Sequence, residues 1–346
     1  MVLVRTGNGY LDYLLGSSLV TCAVDGVNLL LLANPLYTFR HEKDKVPAHE
    51  LPFLQRYIWV VCMCQCPRGV GWSFKVKNVP SVSARGRTSF VTRSLLRAVA
   101  QYTIFEAALV YSRFNPAFTS STRIASQLYL MRCLSVIAFV SQTYAGINFL
   151  YLLAAATTVA TGFYEPSSWP DVFGHWRDAY TLRRFWGQTW HQLLRRFLGA
   201  FGKSASRSVG LSPRSNGSAF LQLFLAFLIS GLVHVGGDAM LDFSRIGFSL
   251  QFFLLQPVAI IAEEIVISTA RSAGIGRGLC TRFAGYAWVF LWLSICLPPW
   301  LDNLVDAIIR TQGAVPRPPG NTLLETVAGW AGIDVKSMLS SWFARM

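Results

Sequence analysis

Charged residues are scarce in this chain of 346 residues, and acidic residues are the scarcest of them. Asp, Glu, Lys and Arg together make up 14% of the sequence, whereas hydrophobic residues make up 53%. A soluble domain carries about 25% charged residues, so this chain has too few to cover a water-facing surface. The composition therefore argues against an ordinary soluble globular protein and favours a protein embedded in a membrane.

A cleavable secretory signal, a Ser/Pro-rich linker and an internal repeat are also missing from the sequence. The first hydrophobic stretch contains Asp12 and Asp25 and has no clean small-residue cleavage site, which favours a retained first span. Because no linker divides the chain, we expect one membrane-embedded domain over residues 1–346.

Cysteine spacing gives no sign of a metal site. Cys62, Cys64 and Cys66 are two residues apart, a spacing that does not bring side chains together on a helix, and no histidine is close in sequence. Small apolar side chains that fill gaps in the packing are the expected role of these cysteines. We predict no bound metal.

Long apolar stretches are abundant, and a bilayer-spanning helix needs roughly 20 mostly apolar residues. The convincing windows are 14–33, 128–163, 219–235, 248–269 and 283–300. The window 128–163 is long enough to cross, turn near Tyr144–Gly146 and cross back. Windows 51–66 and 95–111 contain charges and could span, lie at the interface or pack inside the bundle. We predict an all-α, multi-pass membrane protein with six to eight membrane helices plus interfacial amphipathic helices.

Positive charges are grouped in the segments 65–97, 177–214 and 271–282, and Lys and Arg outnumber Asp and Glu by 31 to 17. The positive-inside rule places all three segments in the cytosol. The rule then requires an even number of crossings between the first two segments, which favours a hairpin in 128–163 and an incomplete crossing by 95–111. The charge could face lipid headgroups, a phosphate-bearing ligand or nucleic acid. We expect lipid and ligand, and no nucleic-acid partner.

The segment 183–197, RRFWGQTWHQLLRRF, places two tryptophans, a histidine and four arginines in a short stretch. Its apolar neighbourhood recurs at three- and four-residue steps, in Leu182, Phe185, Trp186, Trp190, Leu193, Leu194, Phe197 and Phe201. Arg184, Gln188, His191 and Arg195 fall on the opposite side. This spacing predicts an amphipathic helix along the membrane interface, with tryptophans at the headgroup level and arginines facing phosphates.

A second segment, FLISGLVHVGGDAM at 227–240, places His234 roughly 22 Å along an apolar helix from Ala219, at membrane depth. An ionisable side chain there usually faces an internal cavity or a partner, although a neighbouring carbonyl or hydroxyl could satisfy it. Ser230 lies one turn earlier and Asp238 one turn later, so the three could share a face. The glycines of this segment allow close helix packing or a break in the helix.

These segments resemble the membrane-bound O-acyltransferase superfamily, and within it the wax synthase-like branch that includes fungal acetyltransferases of terpenoid and meroterpenoid pathways. The matching motifs are RGVGW at 68–72, WPDVFGHWRDAYTLRRFWGQTWHQ at 169–192, SGLVH at 230–234 and FFLLQPVAIIAEE at 252–264. The resemblance implies an integral membrane enzyme of the endoplasmic reticulum. Its reaction is transfer of an acyl group from acyl-coenzyme A, with acetyl favoured, to a lipophilic alcohol.

The resemblance also implies roles for individual residues. The family's intramembrane histidine maps onto His234, which would accept the alcohol proton, and the second polar position maps onto His191. Acyl-coenzyme A would be a co-substrate held by the first segment, through Arg183, Arg184, Trp186, Trp190, Arg195 and Arg196. Gln192, Ser230 and Asp238 are candidates for orienting groups. No permanently bound cofactor is expected.

Two alternatives stay open at this point. A long-chain wax-ester synthase would use fatty acyl-coenzyme A and a fatty alcohol on the same scaffold. A multi-pass transporter would use intramembrane Asp, Glu and His to bind ions or protons. The sequence does not decide the oligomeric state.

Overall fold

The computed structural model describes residues 5–80, 86–120, 122–312 and 321–345. Secondary structure in these residues is helical, apart from one isolated bridge between His41 and Trp72. The longer helices are α1 (Gly9–Val27), α2 (Phe53–Cys64), α3 (Arg87–Phe114), α4 (Tyr129–Ala160), α5 (Arg195–Ser208), α6 (Asn216–Leu241), α7 (Phe248–Ser272), α8 (Leu279–Gln312), α9 (Leu323–Trp330) and α10 (Val335–Phe343).

Five helices are long and apolar enough to cross a membrane: α1 with its π-helical continuation Asn28–Ala33, α4, α6, α7 and α8. The apolar windows at 14–33, 219–235, 248–269 and 283–300 each fall within one of these helices. The predicted all-α, multi-pass membrane architecture is therefore confirmed. Window 51–66 forms α2, whose 12 residues rise about 18 Å and are too short to span.

The predicted hairpin in 128–163 is wrong. Helix α4 runs for 32 residues without a turn at Tyr144–Gly146. No proline interrupts it, and Gly146 lies in the interhelical contact with α3, where an added Cβ would meet the Phe105 ring at 3.6 Å. The prediction that 95–111 does not fully cross stays a prediction, since α3, which contains this window, is not among the five helices apolar enough to span. That window belongs to the 28-residue helix α3, which rises about 42 Å.

Helices α3 and α4 pack against each other along their length. Arg85, one of the cations in the basic segment 65–97, lies outside the described residues. Glu106 in α3 accepts the backbone N–H groups of Leu323 at 3.3 Å and Leu324 at 2.7 Å, so this buried carboxylate caps helix α9.

Glycines bring α1 and α6 into backbone contact. A Cβ on Gly16 would lie 2.1 Å from the Gly236 carbonyl oxygen, and one on Gly237 would lie 2.5 Å from the Tyr13 ring. Helix α6 continues past Gly236 and Gly237 to Leu241 without a break. The structure therefore shows close helix packing at these glycines and not a break in the helix. The close approach places Tyr13 of α1 beside Gly237 and His234, in the last third of α6.

The continuous amphipathic helix predicted over 182–201 is also wrong. One turn of α-helix, Leu182–Arg184, continues as a short π-helix, Phe185–Thr189. From residue 190 the chain is irregular until α5 begins at Arg195. Other groups take up carbonyls that a continuous helix would use. The Gly174 N–H donates to the Thr189 carbonyl at 2.9 Å, and the Gln192 side-chain amide donates to the Trp190 carbonyl at 2.6 Å.

Candidate active site

A cavity of about 670 Å³, here called the central cavity, lies between the segment 185–194 and five helices, α1, α4, α6, α7 and α8. It follows α6 from Ala219 to His234, roughly 22 Å at 1.5 Å per residue. Its lining is predominantly apolar and aromatic, with a few polar groups. A ligand pocket in a helical membrane protein has this form.

The two ends of the central cavity differ in polarity. Polar side chains line the end next to the basic segments, namely Asn78, Gln188, Gln192, Arg195 and Gln222. Beyond His234 the cavity is lined by Tyr10, Leu14 and Leu304, close to the point where Gly9 of α1 meets Leu241 of α6 and Ile308 of α8. A polar ligand and a lipophilic ligand can therefore meet at His234 from opposite sides.

His234 lines the central cavity with a fixed ring orientation. Its Nδ1 atom lies 3.0 Å from the Tyr13 hydroxyl. The imidazole stacks on Phe253 at 4.5 Å between ring centroids and an interplanar angle of 15°, while Trp300 meets it edge-on at 6.0 Å. The histidine expected inside the membrane thus faces an internal cavity and has a hydroxyl partner.

Asp238 does not contact His234 directly. Its carboxylate accepts the Ser249 hydroxyl at 2.5 Å and the N–H groups of Ser249 at 3.0 Å and Gly247 at 3.2 Å. The Ser249 hydroxyl lies 3.2 Å from the Tyr13 hydroxyl, so two side chains connect the aspartate with the imidazole. Ser230, the other residue expected on this face, lines the cavity.

Sequence reasoning missed Tyr13, Ser249 and Trp300. The Trp300 indole N–H donates to the Ser249 hydroxyl at 2.8 Å, so all three belong to the hydrogen-bond network of His234. Tyr13 is 221 residues from His234 in the chain. No local motif marks these positions, since each is an ordinary residue of an apolar helix.

His191 lies in the cavity wall and not on a water-facing helix surface. Its ring packs edge-on against Phe173 at 5.9 Å and lies 5.6 Å from the Trp190 ring. Burial lowers the pKa of His191 to about 4, so the imidazole is neutral near pH 7. Among the described residues, none provides a hydrogen-bond partner for its buried Nδ1 atom.

The four arginines expected to bind the donor separate into two pairs. Arg183 and Arg195 line the central cavity. Arg184 pairs with Asp178 at 3.1 Å and covers the Tyr180 ring, whereas Arg196 is buried and pairs with Asp25 of α1. Neither Arg184 nor Arg196 is among the residues that line the cavity, so the structure does not support donor binding by them.

Arg195 carries a charge that its protein neighbours do not neutralise. The guanidinium donates to the Gly187 carbonyl and to the Gln192 side-chain oxygen, and no ion pair of Arg195 is found within the described part of the chain. Burial lowers the pKa of Arg195, which reflects the cost of holding its charge away from water. An anionic ligand in the cavity would offset that cost. Arg183, by contrast, already pairs with Glu264.

Trp186 and Trp190 are partly buried and pack against the hydrophobic core. Both line the central cavity, and Trp186 donates its indole N–H to Gln256 of α7 at 3.2 Å. Gln192 donates to the carbonyls of both tryptophans, at 3.3 and 2.6 Å, and so fixes this segment. In the residues that the structure describes, no group of three or more His, Cys, Asp or Glu side chains could hold a metal ion.

The chain is similar in sequence to a known family of membrane enzymes. The model of the "Membrane bound O-acyl transferase family" matches residues 169–255, which include His191 and His234. Acetyltransferase ple2 of Rhodocybe pseudopiperita is 34% identical over 88% of this chain and 81% of its own length. The chain belongs to the membrane bound O-acyl transferase family.

Other relatives of this O-acyltransferase have related names. Acetyltransferase eriL of Hericium erinaceus is 29% identical over 87% of this chain and 80% of its own length. O-Mevalon transferase yanI of Aspergillus niger is 28% identical over 72% of this chain and 63% of its own length. No solved structure matches the chain significantly.

Membership confirms the resemblance of the sequence motifs and makes the chain an integral membrane enzyme that transfers acyl groups. The choice between an enzyme and a transporter is thereby answered in favour of the enzyme. An acyl donor and an alcohol acceptor are the substrates that the family uses in general.

Proposed function

We propose that this enzyme transfers an acetyl group from acetyl-coenzyme A to a hydroxyl group of a lipophilic secondary metabolite, such as a terpenoid or meroterpenoid. It would act as a single domain over residues 1–346 in the endoplasmic reticulum membrane. One observation carries the proposal: His234 lies where the polar and apolar parts of the central cavity meet. The names of relatives with up to 34% identity support acetyl as the group transferred.

In the proposed reaction, a neutral His234 acts as general base. It accepts the proton of the acceptor hydroxyl while the hydroxyl oxygen attacks the thioester carbonyl carbon. The carbon–sulfur bond then breaks, and the leaving thiolate recovers the proton from the imidazolium. The products are the acetate ester and free coenzyme A, and no acyl-enzyme intermediate is required.

His191 is proposed to stabilise the negative charge that develops on the carbonyl oxygen. A neutral imidazole has one N–H donor, and the buried Nδ1 atom of His191 is not used by the described protein groups. Because His191 and His234 line the same cavity, a thioester between them can meet a base on one side and a donor on the other.

Arg195 is proposed to bind a phosphate of the donor at the polar end of the central cavity. Its charge is partly buried there, and a guanidinium binds phosphate through paired hydrogen bonds. Arg183 and the indole rings of Trp186 and Trp190 complete this end. The lipophilic acceptor would occupy the apolar end, next to Leu14 and Leu304.

The decisive experiment incubates microsomes that contain the enzyme with labelled acetyl- or palmitoyl-coenzyme A and a panel of lipophilic alcohols. We expect an acetate ester with the unaltered enzyme, none with His234→Ala, and unchanged product with His49→Ala. His49 stacks on Tyr37 and is not a cavity-lining residue. A palmitate ester in place of the acetate ester would favour the wax-ester synthase. Equal product from His234→Ala and the unaltered enzyme would rule out His234 as the base.

A further inference from the structure

The hydrogen-bond network around His234 determines which of its ring nitrogens carries the proton. Four side chains belong to the network besides the imidazole: Tyr13, Asp238, Ser249 and Trp300. They come from α1, α6, α7 and α8, and the carboxylate, the serine hydroxyl and the tyrosine are buried. Every donor and acceptor in so buried a network must be matched, so its protons can be assigned by counting.

The count starts at Asp238. Its carboxylate receives three donors, the Ser249 hydroxyl at 2.5 Å and the backbone N–H groups of Ser249 and Gly247. We take Asp238 as ionised; an ionised carboxylate only accepts, so the single hydroxyl proton of Ser249 points to Asp238. The Trp300 indole only donates, and its N–H also points to the Ser249 oxygen.

Ser249 therefore has no proton left for Tyr13. The two hydroxyl oxygens lie 3.2 Å apart, and this contact is a hydrogen bond only if Tyr13 donates. The Tyr13 hydroxyl proton is then used as well. Its contact with His234 Nδ1 at 3.0 Å is a hydrogen bond only if the Nδ1–H donates to the tyrosine oxygen. A neutral imidazole has one N–H, so Nε2 carries the free electron pair.

We propose that Tyr13, Ser249 and Asp238 are positioning residues that hold His234 in the Nδ1–H tautomer and so keep Nε2 available as the base. This inference rests on the proposed function of His234. All three hydrogen bonds run in one direction, from the imidazole to the carboxylate. When Nε2 accepts the acceptor proton, the imidazolium faces a chain of aligned dipoles that ends in a negative charge, and this arrangement stabilises it.

Asp238→Asn tests the direction of the chain with almost no change in volume. The two backbone N–H groups converge on Oδ2, at 3.2 Å from Gly247 and 3.0 Å from Ser249, so the amide oxygen must occupy that position. The amide NH2 group then faces the Ser249 hydroxyl and donates to it. Ser249 must now donate to Tyr13 and Tyr13 to Nδ1, which leaves the histidine proton on Nε2 and removes the base.

Tyr13→Phe removes the hydroxyl but keeps the ring that packs on Gly237. The matched control is Tyr129→Phe, because the Tyr129 hydroxyl also bonds a serine hydroxyl between two membrane helices, that of Ser294 at 3.0 Å. Tyr129 is not a cavity-lining residue. Tyr13→Phe deletes two interhelical hydrogen bonds and Tyr129→Phe deletes one, and only Tyr13→Phe touches the network of His234.

We expect Tyr13→Phe to lower kcat about 100-fold and Asp238→Asn about 1,000-fold, with the KM for acetyl-coenzyme A changed less than about threefold in both. Tyr129→Phe keeps kcat within about twofold. Nitrogen NMR of the enzyme with ¹⁵N-labelled histidine, with His234→Ala for assignment, gives a second readout. His234 should carry Nδ1–H in the unaltered enzyme and Nε2–H in Asp238→Asn.

Retention of kcat within about threefold by Tyr13→Phe and Asp238→Asn would overturn the inference. So would an active unaltered enzyme whose His234 carries the proton on Nε2, and in that case the proposed function stands. A chain that shows the Nδ1–H tautomer but transfers no acyl group would overturn the proposed function instead. The NMR measurement needs no turnover, so the two failures are distinguishable.

Discussion

The guanidinium of Arg196 in α5 and the carboxylate of Asp25 near the end of α1 form an ion pair, 171 residues apart in the chain. The Arg196 side chain is 5% exposed and that of Asp25 is 20% exposed. Arg196 also donates to the Met63 carbonyl at 3.4 Å and covers the Phe74 ring. One arginine therefore ties the basic segment 177–214 to the first membrane helix.

Asp25→Ala should destabilise the protein strongly, because it leaves the Arg196 charge buried without its partner. Loss of one member of a buried pair costs about 3 kcal/mol or more. Asp178→Ala is the control, since its pair with Arg184 is about one-third exposed and contributes about 1 kcal/mol or less. The thermal unfolding midpoint in detergent measures both. Similar midpoints for the two variants would contradict the assigned role of Asp25.

Gly16→Ala should disrupt the contact between α1 and α6, because the new Cβ would lie 2.1 Å from the Gly236 carbonyl oxygen. Backbone atoms there cannot move aside without separating the helices. Gly26→Ala in the same helix is the control, since a Cβ at Gly26 meets nothing within 4 Å. Its higher helix propensity should raise stability by about 0.5–1 kcal/mol. The yield of folded protein and its unfolding midpoint report the difference, and normal stability of Gly16→Ala would refute the close approach.

Arg195→Ala should raise the KM for acetyl-coenzyme A about tenfold, as expected for loss of a charge-assisted phosphate contact. Arg184→Ala should leave that KM unchanged, because Arg184 pairs with Asp178 away from the central cavity. Initial rates at varied donor concentration measure the two values. Equal KM values for both variants would argue against Arg195 as a phosphate ligand. Retention of normal stability by Arg195→Ala would confirm that the effect lies in binding.

Stability should depend on pH through His191, whose pKa is lowered from 6.5 to about 4 by burial. Between these values the unfolded chain binds a proton that the folded protein does not, so the free energy of unfolding falls as pH falls from about 6.5 to about 4. His191→Asn lacks the titrating group and should lose this component of the pH dependence. Unfolding midpoints of both proteins from pH 7 to pH 4 test it. If the unfolding midpoints of the two proteins changed equally with pH, His191 would be exposed to water and not buried.

The positions of most membrane-spanning helices were predictable from composition, because the cost of placing charge in lipid applies residue by residue. The windows that became α1, α6, α7 and α8 are examples. The hairpin in 128–163 failed because length permits two crossings but does not require them. A single helix of 32 residues packed on α3 satisfies the same hydrophobicity.

The candidate site was predictable only in part. The depth of His234 in an apolar helix marked it as a functional candidate, and the structure places it in the central cavity. Tyr13 and Ser249 carried no such signal, because their positions depend on how α1 and α7 pack against α6. The periodicity of 182–201 misled for the same reason, since Gly174 and Gln192 donate to carbonyl groups that a continuous helix would have used.

The lengthwise contrast in polarity of the central cavity has a thermodynamic consequence for the proposed reaction. Acetylation removes a hydroxyl donor, so the ester is more oil-soluble than the alcohol from which it formed, while free coenzyme A stays strongly hydrophilic. The two products would then diffuse into different solvents, one into the bilayer and the other into the cytosol. Their separation would dilute the reverse reaction and add to the downhill transfer from a thioester to an oxygen ester.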